Sequence, residues 1–311
     1  TLWSWGNDSG NFGLSGKGDA VARSVPSQIG DLTTWATVNG GLQVCMAVKT
    51  DNTLWVWGSA GDGKLGNGVK TPNISSPVQL GNLTDWSSVK VGTKFCIAIK
   101  TDGTMWSWGV KNNGKLGQSV SSGTLIDISS PVQIGALTTW ATQDAGGEHA
   151  GCIKTDGTLW TWGKNNDGQL GDGTVRSRSS PVQITDDTNW ASLALGDTFS
   201  VAIKTDGTMW SWGNYGSGKL GQGALALISS PTQIGDLTTW SQVSLDFEAS
   251  SCAAVKTDGT LWVWGYTNFG RLGLSGVGTA TDGISSPVQL GTNTNWSFVH
   301  SSNFDKWALT G

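Results

Sequence analysis

Apolar and polar positions recur along this chain with a period of about fifty residues, and no apolar stripe of helical period interrupts them. Each period holds four short runs of strand character. In the stretch that follows Trp86 they fall at 87–91, 95–100, 104–108 and 131–134. Thr101-Asp102-Gly103 joins the second run to the third, a hairpin signal because Gly accepts a positive φ and Asp bonds its own backbone. The same turn recurs at Thr155, Thr205 and Thr257, and Asn52 takes the Gly place after Asp51. In Leu54-Trp55-Val56-Trp57 both faces of the strand are apolar, so it packs on both sides, as a sheet wedged between two others does.

Three marks set the phase of the repeat. The motif Leu/Met-Trp-x-Trp-Gly begins its tryptophan pair at Trp3, Trp55, Trp106, Trp160, Trp210 and Trp262. A proline follows each at Pro26, Pro77, Pro131, Pro181, Pro231 and Pro287, usually within Ser-Ser-Pro-Val-Gln. A third tryptophan stands at Trp35, Trp86, Trp140, Trp190, Trp240 and Trp296. The marks absorb every tryptophan except Trp307, which falls where other repeats have Met46 or Ile97, so these rings read as scaffold before site. The chain opens on a third strand and ends near 304–310 on a second. The expectation is therefore an all-β fold: a six-bladed β-propeller over residues 1–311, a single domain with four short antiparallel strands per blade. Its ring would be closed by N- and C-terminal strands sharing one blade.

Composition narrows function mainly by exclusion. Charged residues make up 14% of the chain, well below an average of roughly 25%, and the net charge of −4 supplies no basic field for nucleic acid. No apolar run is long enough for a membrane helix, no leader sequence remains, and the start at Thr1 reads as a processed, trimmed or partial chain. Cys45, Cys96 and Cys252 share one repeat position, and Cys152 sits two residues later in phase. They read first as free, small, buried side chains, with a disulfide or metal role as the alternative.

The wording of the unit is more specific. Trp-Gly, Asn-x-x-Gly-x-Leu-Gly and Ala-Ile-Lys-Thr-Asp-Gly-Thr, with a good copy at Trp162–Gly173 and Gly147-Glu148-His149, resemble the regulator-of-chromosome-condensation repeat. That resemblance implies a propeller along the whole chain. It leaves function open among an exchange factor, a plant ultraviolet photoreceptor, β-lactamase inhibitors and repeat proteins of bacteria and phages. Familiar members have seven blades where this sequence supports six, and the near-verbatim repeats resemble the bacterial and phage style. Photoreception is disfavoured, since only Arg23, Arg176, Arg178 and Arg271 are available to lace the tryptophans.

Candidate chemistry is sparse. His149 and His300 share no repeat position, His149 standing where the resemblance implies a structural histidine. Asp51, Asp102, Asp156, Asp206 and Asp258 alternate with Lys49, Lys100, Lys154, Lys204 and Lys256, either as a charged ligand ring or, more simply, as turn chemistry beside a solvated Lys. Lys64, Lys115, Lys219 and Arg271 recur in the Gly-x-Leu-Gly loops, suggesting an anionic partner or merely exposed charge. With Tyr215, Tyr266 and Phe269 they form the candidate binding set on the variable rim. Segments 119–127, 224–227 and 276–283 diverge most, through recognition or through drift.

No nucleophile–base pair, paired carboxylate or metal cluster stands out, so catalysis is not expected, and no cofactor. The first reading is a structural or binding module: a phage virion component of tail fibre or capsid surface, or a bacterial surface protein. It would bind protein or surface glycan, other virion proteins among them, at a virion or extracellular location, with no membrane insertion. The alternative is a protein-binding regulator, an exchange factor or enzyme inhibitor working through one rim.

Overall fold

The computed structural model describes residues 1–8, 10, 12–119, 127–223, 226–245, 251–274, 283–301 and 306–310. Its regular structure is all antiparallel strand, apart from four single 3-10 turns. Five sheets have four strands each, in simple sequence order. In one of them Trp86–Val91, Phe95–Lys100, Met105–Gly109 and Ile128–Gln133 run side by side. Two further sheets have two strands each, Trp3–Gly6 with Arg23–Gln28 and Trp296–Ser301 with Lys306–Thr310.

The third strand of the unit, read as apolar on both faces, is buried apart from its half-buried first tryptophan, and the second strand is buried from end to end in four sheets. The fourth strand departs from the sequence reading. It starts at Ile128, three residues before the expected proline, and pairs Ile128 with Gly109 across a register shift. Pro131 is tolerated because this strand is a sheet edge, where a missing N–H breaks no ladder.

The chain divides into two compact units, 1–143 and 144–311. Inside each, neighbouring sheets are sewn together by the same bonds. Trp57 Nε1 donates to the Leu14 carbonyl at 3.0 Å and Trp108 Nε1 to the Lys64 carbonyl at 2.8 Å in the first unit. In the second, Trp212 Nε1 donates to Gln169 O at 2.9 Å and Trp264 Nε1 to Lys219 O at 3.0 Å. The second tryptophan of these four motifs thus reaches into the glycine loop of the preceding sheet. That loop has to be bare there: a Cβ on Gly66 would lie 2.8 Å from Trp108 Nε1, and one on Gly171 2.7 Å from Trp212 Nε1. Each of these tryptophans also buries an area of about 200 Å², a contribution on the order of 5 kcal/mol before entropy.

First strands join in too. Asn39 Oδ1 accepts from Val91 N at 2.8 Å, Asp144 Oδ2 from Leu195 N at 2.8 Å, and Gln242 Oε1 from Val299 N at 3.1 Å. Polar side chains there occupy backbone donors of the next sheet that would otherwise lack an intrasheet partner.

Candidate functional site

Antiparallel order places the Asp-Gly hairpins at one end of each sheet and the glycine loops at the other. At the glycine-loop end, the basic series is not the exposed charge expected from sequence. Lys64, Lys115, Lys219 and Arg271 are 3%, 0%, 6% and 9% exposed. Lys64 Nζ donates to Gln43 Oε1 at 2.5 Å, and Lys219 Nζ to Thr198 Oγ1 at 2.9 Å. Lys115 and Lys219 lie over the rings of Phe95 and Phe199 at 5.9 and 5.6 Å, and Arg271 over Tyr266 at 5.7 Å. Burial pushes the ammonium groups of Lys64 and Lys219 below the usual lysine range. Tyr215 is exposed and Tyr266 half-buried. The side chain of Phe269, with residues 120–126, 224–225 and 276–282 of the variable segments, lies outside the described residues.

At the hairpin end the lysines are not solvated either. Lys204 Nζ sits 4.8 Å from the Trp190 ring and 4.4 Å from Trp210, and the two rings meet edge to face at 6.1 Å. Lys49, Lys100 and Lys256 occupy the corresponding tryptophan pairs, and Lys154 lies 3.6 Å from Trp160. The rings form a cation-accepting cage filled by the protein's own ammonium. The aspartates are tied down locally. Asp102 Oδ1 accepts from Thr104 N at 2.9 Å and from its hydroxyl at 2.7 Å, and that hydroxyl in turn accepts from Trp106 Nε1 at 3.0 Å. The chain repeats at Asp51, Asp156, Asp206 and Asp258. Hydrogen bonds from Thr hold these carboxyls below the usual carboxylate range.

Sequence reasoning missed what the cysteine series does. Cys96 Sγ donates to Lys64 O at 3.5 Å, the carbonyl already bonded by Trp108, and Cys252 Sγ to Lys219 O at 3.4 Å beside Trp264. Ser200 stands at that position one repeat away and donates to Gln169 O at 2.7 Å. The Cys/Ser interchange was the available signal: both are small donors. The cysteines are unbridged, and burial drives the Cys45 thiol up to about 12.

His149 is wholly buried, with Nε2 2.9 Å from Ser200 Oγ. Ser200 spends its one proton on Gln169 O, so the imidazole donates from Nε2 and leaves Nδ1 bare. Burial lowers its pKa to about 3, so it is neutral under ordinary conditions. Among the described residues no group of three His, Cys, Asp or Glu is placed to hold a metal ion, and no helix is long and apolar enough to cross a membrane.

At the hairpin end the turn aspartates face solvent together with Leu32, Leu83, Leu137 and Leu237, which are 40%, 47%, 44% and 45% exposed.

The RCC1-like domain model matches residues 1–303. The human E3 ubiquitin-protein ligase HERC2 is 33% identical over 179 residues, which is 55% of this chain and 4% of HERC2. The chain thus spans a small fraction of that relative, and the ligase activity in its name stays with it. Among solved structures, human WBSCR16 superposes with a TM-score of 0.80 at 18% identity, covering 93% of this chain and 77% of that one. Yeast RCC1 (Prp20), seen bound to Kap60, gives a TM-score of 0.69 at 16% identity, covering 98% and 87%. Both likenesses speak to fold.

Proposed function

This chain belongs to the RCC1-like domain family, and on that premise we propose that it is a protein-binding regulator that holds its partner across one end of its sheets. The observation that carries this reading is where the polar chemistry goes. The turn and loop lysines, the indole N–H groups of Trp57, Trp108, Trp212 and Trp264, the thiols of Cys96 and Cys252 and the His149 ring are held in contacts inside the scaffold, while the hairpin end presents acid and leucine outward. Yeast RCC1 is seen in complex with another protein, Kap60, which supports a protein ligand over a small molecule. HERC2, a ligase by name, and yeast RCC1, seen bound to Kap60, favour the regulator over a phage structural role. The test is to cross-link the purified chain in extract of its source, identify the captured proteins and rebuild each pair from pure components. A one-to-one complex of micromolar affinity or better is expected; no binary complex with any captured protein refutes the reading.

For the architecture we propose six blades. The pair Trp3–Gly6 and Arg23–Gln28 carries the third and fourth strands of a repeat, and Trp296–Ser301 with Lys306–Thr310 carries the first and second. In repeat phase the two pairs complement one another. Six lobes in electron-microscopic class averages are expected, and five or seven would reject the count.

A further inference from the structure

The hairpins of the first unit are not isolated turns. Thr50 N donates to Thr34 O at 2.8 Å, Trp86 N to Asn52 O at 3.0 Å, Thr101 N to Asp85 O at 2.7 Å and Trp140 N to Gly103 O at 3.2 Å. Each hairpin is therefore bonded to the connecting turn before it and to the one after it. From Thr34 to Trp140 they form one continuous row.

Leu32, Leu83 and Leu137 stand on the connecting turns of that row, each exposed by 40% or more. The other described leucines of this unit are buried or half-buried. The turn itself has no need of a leucine. Asp187 holds the same place in Thr185-Asp186-Asp187-Thr188-Asn189-Trp190, and Asn293 in Gly291-Thr292-Asn293-Thr294-Asn295-Trp296. In both, the bond to the preceding hairpin persists, Trp190 N to Gly157 O at 3.1 Å and Trp296 N to Gly259 O at 3.0 Å. A leucine that the fold does not require, set repeatedly in solvent, calls for an occupant outside the fold.

Charge says which. Asp31, Asp51, Asp85 and Asp102 lie on the row against Lys49 and Lys100, four carboxylates to two ammonium groups, a balance of −2. Both lysine heads are drawn inward over tryptophan rings and pair there with Asp51 and Asp85 at 3.8 and 3.1 Å, so the net charge of the row rests with Asp31 and Asp102, both exposed. The solvent-facing surface is thus apolar points on an acidic ground.

We propose that this row is the docking surface, and that it takes a basic segment of a partner protein whose apolar side chains, set among Lys and Arg, cover the three leucines. This deepens the protein-binding reading and rests on it.

The test uses the whole chain and a fluorescein-labelled peptide of alternating Lys and Leu, read by anisotropy at physiological salt. The variant carries L32D, L83D and L137D together. Those changes add three carboxylates, so a surface working by charge alone would bind the peptide more tightly. The expected result is the opposite, weakening of about tenfold or more. A peptide with Ser in place of Leu should bind the wild type as weakly as the Lys-Leu peptide binds the variant. Unchanged or tighter binding by the variant overturns the proposal. So does a wild-type dimer in sedimentation that the variant turns into monomer, because the occupant would then be a second copy. If the triple variant fails to fold, L32N, L83N and L137N are used singly, following Asn293, and each should still weaken binding. A reconstituted partner complex that survives the triple variant removes this surface and leaves the protein-binding reading standing. Failure of the wild type to form any binary complex removes the reading itself.

Discussion

A single imidazole shows how this scaffold treats a polar side chain. His149 occupies the position held by Phe95 and Phe199 in other repeats, opposite the glycine of Trp-x-Trp-Gly. It is a buried filler with one hydrogen bond, and burial holds its pKa near 3, against 6.5 for the free side chain. Between those values the unfolded chain binds a proton at this site that the folded chain does not. Stability must therefore fall as the pH drops below 6.5, and this contribution is fully lost by about pH 3. His149→Phe should flatten the decline of Tm between pH 6.5 and 4.5, a window in which the turn aspartates stay ionised. An unchanged slope would mean that other groups set the acid response. The lysines make a related point. Sequence placed them correctly in phase and wrongly in environment, because a Lys beside an Asp-Gly turn looks the same whether its head is in water or between two indoles. Only the third dimension brings Trp190 to Trp210 and Lys204 between them.

Strands and loops were legible to the extent that periodicity governs them. The inner strands and the hairpin follow from apolar runs and turn chemistry, whereas the edge position of the proline shows only in the sheet order. The start of the fourth strand does not, since Ile128 pairs with Gly109 through a register shift that no local pattern announces. The glycine loop was misread for a different reason. Its Lys, Gln or Leu contributes a carbonyl to the next sheet, and backbone roles leave no trace in side-chain identity. Trp108→Phe keeps a ring but removes the Nε1–H bond to Lys64 O. A loss of about 2–4 kcal/mol is expected in urea unfolding, from the bond and the missing volume together. Adding Cys96→Ser to that variant should recover about 1 kcal/mol, because serine is the stronger donor and Ser200 already plays that part beside Trp212. Additive losses with no recovery would show that the carbonyl does not couple the two side chains.

For the molecule as a whole, the family and the all-β repeat fold could be read in the sequence because the repeat is written so regularly. Function was harder for the same cause. Features that recur from repeat to repeat advertise themselves, and here most of them serve the scaffold: the tryptophans, the turn lysines, the loop cations and the cysteines. The exposed leucines passed unnoticed in sequence because Leu in an apolar-rich repeat reads as core. It was their solvent exposure, set against Asp187 and Asn293 at the same place, that separated them from the fold.

The indole-to-carbonyl bonds between sheets also make the molecule a spectroscopic object. An indole proton resonates apart from the backbone amides, and its shift responds to the strength of its hydrogen bond. Trp57, Trp108, Trp212 and Trp264 each place one such proton on a separate seam. A nitrogen-15 correlation spectrum of tryptophan-labelled protein therefore carries an address for each of these seams. A partner that strains one junction would move one line and leave its neighbours in place.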